Sequence, residues 1–294
     1  MWLFKKSKPP TPPPSPEFRK PWRSLDWNED KQNLLTAINI FKPSNSEVGT
    51  LRILLHGPQG AGKSSFFNSV YNVLQGRITT RALAHAVETG QSFTVKCKTY
   101  KVKKDSPDSY FPFNFTDIAG MHREDRGIKM DDIIKLLNGH INSGYNFNPL
   151  KPITEEDPKY NKNPTLKDRI HCLVAVLPAN TVSMMDDTNL PIIKQMSDVR
   201  KEARNLGIPQ VIILTKVDES CQLVKDDLKR IYTSKKIKQK FCHFPLDGTG
   251  KFMTCLHRKD QEVLQSARSQ IWHLGLNGDT EESHRCRRIH PIVS

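Results

Sequence analysis

The segment Gly57–Ser64 reads GPQGAGKS and matches the phosphate-loop pattern G-x-x-x-x-G-K-[ST]. Glycines in such a loop let backbone N–H groups converge on phosphate oxygens, and the positive end of the following helix adds to the attraction. Lys63 would reach the β- and γ-phosphates, and the Ser64 hydroxyl would bind Mg²⁺. A chance glycine-rich turn is the alternative. The predicted nucleotide contacts here are Gly57, Gln59, Gly60, Ala61, Gly62, Lys63, Ser64 and Ser65.

A second motif, Asp117-Ile118-Ala119-Gly120, follows the apolar segment Tyr110–Thr116. A carboxylate at the carboxyl end of a strand, beside the phosphate loop, can hold Mg²⁺ through water. The N–H of Gly120 can contact a γ-phosphate, so the next segment can change its order with the nucleotide state. Alone, the pattern D-x-x-G also fits an ordinary strand-to-turn junction. We therefore predict Ser64 and Asp117 as metal ligands and Gly120 as a nucleotide contact.

A third motif, Thr215-Lys216-Val217-Asp218, directly follows the apolar run Val211–Leu214. A carboxylate there can accept hydrogen bonds from N1–H and the exocyclic amine of guanine. Adenine presents an acceptor where guanine has a donor, so the carboxylate would be left unpaired against it. The stem of Lys216 can lie over the base. A salt-bridged turn explains this motif when it stands alone, but three motifs in this order predict GTP or GDP as the ligand, with Thr215, Lys216 and Asp218 as contacts.

Short apolar strands alternate with amphipathic helices along the chain, which is typical of an α/β fold with a doubly wound, mostly parallel sheet. The phosphate loop lies between a predicted strand and a predicted helix over Ser65–Leu74, and the two later motifs each end a strand. Residues 142–168 are rich in Asn, Pro, Lys and Glu and predict a long polar insertion or flexible loop. The predicted strands are Leu51–Leu55, Phe93–Val102, Tyr110–Phe115, Cys172–Leu177 and Val211–Leu214, and the later predicted helices are Leu190–Leu206 and Leu223–Lys240.

Over roughly residues 48–240 the chain resembles the P-loop GTPases, and within them it is similar to the interferon-induced protein 44 family. The resemblance implies the GTPase-like three-layer fold, binding of GTP, cytoplasmic residence and a role in immune or antiviral responses. The residues that carry it are Pro21-Trp22-Arg23, Trp27, Leu55–Val70, Gly76-Arg77, Arg81–Ala84, Phe93-Thr94, Lys98-Thr99-Tyr100 and Asp117-Ile118.

Several positions depart from the pattern of an efficient GTPase. Many GTPases place a glutamine after the D-x-x-G glycine to orient water, whereas this chain has Met121. Gln59 stands where a small glycine is frequent. The threonine that would complete Mg²⁺ coordination is ambiguous among Thr79, Thr80 and Thr89, and we assign no arginine finger and no catalytic residue. We therefore expect nucleotide binding with slow or absent intrinsic hydrolysis.

The sequence divides into three parts. Residues 1–27 are predicted to be a disordered, proline-rich basic tail, and residues 28–240 the GTPase-like domain. Residues 241–294 do not resemble the family, and we expect them to be poorly ordered or to form one helix. Phe241–Leu246 is a poor strand because Pro245 interrupts it, so we expect the sheet to be incomplete at this edge.

Seven prolines lie within residues 7–21, and such a segment favours an extended polyproline conformation. The spacing Lys6-x-x-Pro9-x-x-Pro12 fits a ligand of an SH3-type partner, and Ser15-Pro16 could take a phosphate. An unbound linker is the alternative that we favour.

The net charge is +14, and Lys229–Lys240 is a basic run without an acid. The run could neutralise phosphates on nucleic acid or on a membrane surface. We favour a solvated helix face, since no aromatic residues interleave, and we expect no specific nucleic-acid partner. No apolar stretch approaches the roughly 20 residues of a transmembrane segment, and no secretory signal is present, so we expect a cytoplasmic protein.

The six cysteines form no CxxC pair and are expected to be reduced thiols. Zinc is a weaker hypothesis, because the spacing of its candidate ligands fits no compact finger. Those candidates are Cys242, Cys255, His257, His284, Cys286 and His290.

Two other functions remain open. In one, the chain is an interaction module that does not use nucleotide and keeps a vestigial P-loop. In the other, it is an ATP-dependent phosphotransferase, which needs the P-loop but not Thr215–Asp218. The sequence leaves the oligomeric state open.

Overall fold

The computed structural model describes residues 14–23, 31–79, 82, 96–104, 106, 108–118, 120–121, 128–180, 191–242 and 250–255. The helices are α1 (Lys31–Ile40), α2 (Lys63–Gln75), α3 (Met130–Leu137), α4 (Pro191–Asn205), α5 (Val217–Ser220), α6 (Gln222–Asp226) and α7 (Lys235–Cys242). The strands are β1 (Leu51–His56), β2 (Lys98–Lys103), β3 (Tyr110–Asp117), β4 (Cys172–Pro178), β5 (Gln210–Thr215) and β6 (Gly250–Cys255). Short 3₁₀ helices cover Leu166–Asp168 and Leu228–Tyr232.

The sheet has the strand order β2-β3-β1-β4-β5-β6. Strands β1, β3, β4, β5 and β6 run parallel, and β2 is antiparallel to β3 at one edge. Residues of β4 and β5 are buried throughout, as expected for central parallel strands covered on both faces. The chain therefore has the α/β, mostly parallel P-loop fold that the sequence predicted.

Hydrophobic cores lie on both faces of the sheet. On one face, Phe66 and Phe67 of α2 pack against Phe115 of β3, with ring centroids 6.2 and 5.5 Å apart. On the other face, Ile133 of α3 and Val199 of α4 belong to a core that includes alternate residues of β4, namely Leu173, Ala175 and Leu177. The helices thus form one layer on each side of the sheet, which gives the three-layer architecture.

The connection between α3 and β4 is held by specific hydrogen bonds. Cys97 donates its N–H to the Tyr145 carbonyl at 2.8 Å, and Gly144 donates to the Cys97 carbonyl at 2.7 Å. The carboxylate of Asp132 accepts the N–H of Ile153 at 2.8 Å. The predicted polar insertion is therefore packed against α3 and against the residues that precede β2.

The predicted helix over Leu223–Lys240 is broken into three pieces. Asp227 has an extended backbone with φ −147°, and its carboxylate accepts the N–H of Lys229 at 3.0 Å. A second break precedes α7, where the Ser234 hydroxyl accepts the N–H of Ile237 at 3.2 Å. Both breaks come from short polar side chains that bond to nearby backbone donors and so compete with a continuous helix.

The sheet edge beside β5 is paired in the structure. Residues 250–255 form β6, which runs parallel to β5 with Ile212 opposite Met253. This corrects the expectation of an incomplete sheet, and it places a strand in a segment that we expected to be poorly ordered or helical. The strand considered at Phe241–Leu246 lies too early in the chain, because α7 continues to Cys242 and the described residues resume only at Gly250.

Part of the predicted disordered tail is docked on the domain. We call residues 14–23 the strap. Its Phe18 donates an N–H to the Thr233 carbonyl at 2.8 Å, and Trp22 donates one to the Tyr232 carbonyl at 2.9 Å. Trp22 and Tyr232 pack edge to face, 5.2 Å between centroids. The strap therefore belongs with the folded chain, while residues 1–13 and the predicted SH3 ligand lie outside the described residues.

Within the described part of the chain, every helix is too short or too polar to cross a bilayer.

Candidate functional site

The loop after β1 is shaped by its glycines. Gly57, Gly60 and Gly62 have φ values of 153°, 71° and 93°, which residues other than glycine rarely adopt. A Cβ on Gly57 would lie 2.1 Å from the Val176 carbonyl oxygen. Helix α2 begins directly afterwards at Lys63, so the predicted strand–loop–helix arrangement is present.

Lys63 is buried beneath this loop. Its ammonium donates to the carbonyl oxygens of Gly57 and Pro58, each at 3.1 Å. Burial lowers the pKa of Lys63 to about 8, and the negative charge of Asp117 opposes that shift. The cation is therefore held inside the loop by backbone oxygens and one carboxylate, where it can meet an incoming anion.

Ser64 and Asp117 meet next to Lys63. The Ser64 hydroxyl donates to Oδ2 of Asp117 at 2.7 Å. Burial raises the pKa of Asp117 above its usual range, while Lys63 and the Ser64 hydroxyl oppose that rise. The second oxygen, Oδ1, is buried without a hydrogen-bond partner. Because a buried carboxylate oxygen is costly when unpaired, this pair fits a divalent cation as the missing partner.

The segment after Asp117 pairs with the phosphate loop. Gln59 donates its N–H to the Met121 carbonyl at 3.1 Å, and Met121 donates to the Gly57 carbonyl at 3.3 Å. A Cβ on Gly120 would lie 2.6 Å from the Cα of Gln59, so only glycine allows this approach. The backbones of the first and second motifs are thus in direct contact.

Met121 does not direct its side chain into the site. The residue is 1% exposed and belongs to the core that includes Ile118 and Ile133. The position at which many GTPases carry a water-orienting glutamine therefore contributes to packing here.

The third motif is bonded to the first. The Thr215 hydroxyl donates to the Ala61 carbonyl at 2.7 Å, and its methyl group would lie 3.5 Å from a Cβ on Gly62. Lys216 follows with φ 54°, and this left-handed residue turns the chain into α5, whose first turn contains Asp218. The turn brings Lys216 and Asp218 to the same edge of the sheet as the phosphate loop.

The structure thus gathers the predicted contacts of all three motifs at the carboxyl ends of β1, β3 and β5. Ser65 lies in the first turn of α2 and is exposed. Thr79 is not part of this group, because its N–H and hydroxyl both bond to Oδ1 of Asn72, at 2.8 and 3.0 Å. Thr80 and Thr89 lie outside the described residues, as do four of the six zinc candidates.

Two residues near the site were missed. His56, the last residue of β1, is 1% exposed, and neither ring nitrogen has a hydrogen-bond partner. Burial, then the charges of Lys63 and Arg200, lower the pKa of His56 to about 3, so its ring adds no charge beside Lys63. Asn68 of α2 exchanges two hydrogen bonds with the backbone of Ala82, at 2.8 and 2.9 Å. A polar residue within an apolar strand was the available signal for His56; Asn68 gave none.

Comparison with curated proteins identifies several relatives. The chain is 40% identical over 203 residues to interferon-induced protein 44 of Pan troglodytes, a match that covers 69% of this chain and 45% of the relative. It is 38% identical over 212 residues to the Homo sapiens protein, covering 72% and 47%. Interferon-induced protein 44-like of Homo sapiens is 38% identical over 206 residues, covering 70% and 44%. The resemblance to the interferon-induced protein 44 family is confirmed.

The chain spans about half the length of the interferon-induced protein 44 relatives that it matches. No protein-family model matches it.

Among solved structures, the chain is similar to the signal recognition particle receptor SRb-GTP/SRX complex from Chaetomium thermophilum, with 16% identity and a TM-score of 0.34, covering 71% of this chain and 90% of that one. It is also similar to translation elongation factor SelB from Methanococcus maripaludis, apo form, with 10% identity and a TM-score of 0.33, covering 78% and 34%. Both TM-scores are low, so the fold assignment rests on the strand order and the loop geometry described above.

Proposed function

We propose that the chain binds a guanine nucleotide together with Mg²⁺ and hydrolyses it slowly or not at all. The observation that carries the proposal is the convergence of the three motifs at one sheet edge. The first motif begins at Gly57, and the second and third begin 60 and 158 residues after it. Hydrogen bonds link Asp117 of the second motif and Thr215 of the third directly to the phosphate loop.

The phosphate loop supports binding of a polyphosphate. Lys63 already faces the oxygens that line the loop, and the N-terminus of α2 adds partial positive charge at the same place. Ser64 and Asp117 would hold Mg²⁺, which would neutralise phosphate charge when bound. The unpaired Oδ1 of Asp117 supports this assignment.

Guanine selectivity is assigned to Asp218, with Lys216 alongside the base. Both residues follow Thr215, whose hydroxyl fixes the start of this loop to Ala61. A carboxylate accepts from two guanine donors and would be left unpaired against adenine, so it favours GTP and GDP over ATP.

Slow hydrolysis follows from Met121. Its side chain is buried in the core and has no group that orients water, so it does not take the place of the missing glutamine. We propose that nucleotide state acts instead through the contact between Gln59 and Met121.

The relatives' name supports an interferon-inducible protein of the immune or antiviral response, and we propose that role, in the cytoplasm, for this chain. Since the chain spans about half of those relatives, this proposal concerns only the part of their activity that a nucleotide-binding domain supplies.

Isothermal titration with GTP, GDP and ATP in Mg²⁺ tests the proposal. We expect binding of GTP and GDP but not ATP, loss of binding in Lys63→Ala, and loss of guanine preference in Asp218→Asn. A folded protein that gives no heat with any purine nucleotide would leave a nucleotide-independent interaction module. Binding of ATP that is unaffected by Asp218→Asn would favour the phosphotransferase.

A further inference from the structure

The strap brings a second basic segment beside the basic run of the carboxyl-terminal half. Arg230 pairs with Glu17 through two nitrogens, and the Thr233 hydroxyl donates to Glu17 at 2.7 Å. Lys235 donates its N–H to the Pro16 carbonyl at 3.0 Å and its ammonium to the Ser15 carbonyl at 2.7 Å. Two segments that are more than 200 residues apart in sequence therefore form one surface.

This surface is strongly positive. Residues 14–23 and 228–238 together contain eight basic residues and one acid, Glu17, which is already paired with Arg230. Asp227, just before the second segment, accepts the N–H of Lys229. We call the basic patch the side chains of Arg19, Lys20, Lys229, Lys235, Lys236 and Lys238, each exposed or partly exposed.

The aromatic rings of this surface are occupied. The ammonium groups of Lys235 and Lys238 lie over the ring of Phe18, 5.7 and 4.8 Å from its centroid. Arg23 lies over the ring of Tyr232 at 5.7 Å, and Trp22 packs against the same ring. Stacking platforms for nucleic-acid bases need free ring faces, so the surface offers charge without base stacking.

The sequence just before the strap favours a membrane as the partner. Trp2, Leu3 and Phe4 are followed by Lys5 and Lys6. Apolar and aromatic residues next to lysines are typical of segments that bind the membrane interface. Residues 1–13 lie outside the described part of the chain.

We propose that the basic patch binds the anionic headgroups of a phospholipid membrane surface. The lysines and arginines neutralise headgroup phosphates and carboxylates, and attraction to such a surface falls off within a Debye length. The patch requires both segments, because neither the strap nor residues 228–238 alone supplies all six side chains. Nucleotide binding is not needed for this contact.

Co-sedimentation of the full chain with phosphatidylcholine vesicles, with and without phosphatidylserine, tests the proposal. We expect binding only to vesicles that contain phosphatidylserine, and weaker binding as salt is raised. Each basic residue near an anionic surface strengthens binding about fivefold. Arg19→Glu/Lys20→Glu on the strap and Lys229→Glu/Lys236→Glu in residues 228–238 should therefore each weaken it at least about 25-fold.

The matched control is Lys101→Glu/Lys103→Glu, which makes the same change in net charge on two exposed lysines of β2. It should keep most of the binding, and all three variants should keep the wild-type circular dichroism and melting temperature. Equal loss in the control would show attraction to overall charge and overturn the proposal. The proposal would also be overturned if the wild type did not bind phosphatidylserine vesicles, or if an equal concentration of a polyuridine oligonucleotide displaced it from them.

Discussion

The hydroxyl of Thr215 donates a 2.7 Å hydrogen bond to the carbonyl oxygen of Ala61, 154 residues away in the chain. The bond joins the end of β5 to the middle of the phosphate loop, and Thr215 is buried. The phosphate loop therefore helps to hold the proposed base-binding residues, which follow Thr215, in position.

Thr215→Val tests this relationship. The valine keeps the shape of the side chain but leaves the buried Ala61 carbonyl without this donor, so we expect a loss of about 1–3 kcal/mol in the free energy of unfolding. Guanine-nucleotide affinity should fall as well. Urea unfolding and calorimetry provide the two measurements. Thr215→Ser keeps the hydroxyl and should behave nearly like the wild type; if it is as impaired as the valine variant, the hydrogen bond is not the cause.

Lys63 predicts a specific pH dependence of stability. Burial lowers its pKa from 10.5 to about 8, so between these values the unfolded chain binds more protons than the folded one. The penalty of a buried charge is present below the folded pKa and is relieved as pH rises, so stability should increase relative to Lys63→Met from about pH 8 to 10.5. Urea unfolding of both proteins across this range measures the difference. A difference that stays constant with pH contradicts the lowered pKa.

Met121→Gln tests whether hydrolysis is slow only because a glutamine is missing, or because the side chain at position 121 does not enter the site. Because the Met121 side chain is buried in the core, a glutamine there should not reach water at the phosphate site. We expect no gain in GTP hydrolysis and a loss of about 1–3 kcal/mol of stability from an unsatisfied amide. Single-turnover hydrolysis and thermal unfolding are the measurements, with Met121→Leu as the volume-conserving control. A faster hydrolysis in the glutamine variant would mean that the side chain does enter the site.

The ion pair between Glu17 and Arg230 predicts that docking of the strap depends on pH. Hydrogen bonds from Arg230 and then Thr233 lower the pKa of Glu17 to about 2, so this contact stabilises docking above the unfolded pKa near 4.5. The stabilisation is lost as pH falls from there through about 2. The protection of the Phe18 and Trp22 amides from hydrogen exchange, measured against the intrinsic rate at each pH, should fall over that range, and it should fall at neutral pH in Glu17→Arg. The swap Glu17→Arg/Arg230→Glu should restore protection, and failure of the swap would point to the aromatic contacts as the anchor.

The central strands were predictable because each is a short run of buried aliphatic residues. β1 and β4 extend one residue beyond the predicted runs at the carboxyl end, and β5 extends one residue beyond its predicted run at each end. The positions of the three motifs followed from β1, β3 and β5, since parallel strands bring their carboxyl ends to one edge.

Other features depend on contacts that local sequence does not encode. Docking of the strap depends on Glu17 meeting Arg230, 213 residues later, and nothing in a proline-rich segment indicates that partner. The break at Asp227 depends on one side-chain bond within a stretch of good helix formers. β6 is specified by its neighbour β5, because the sequence of Gly250–Cys255 lacks a long apolar run.

The bridge between Pro58 and Met121 joins the phosphate loop to the segment that follows β3, so the two should move together. An occupant that moves the loop must either carry Met121 with it or break both backbone hydrogen bonds. Since the Met121 side chain belongs to the same core as residues of α3, a ligand that moves the phosphate loop would also change packing in the protein interior.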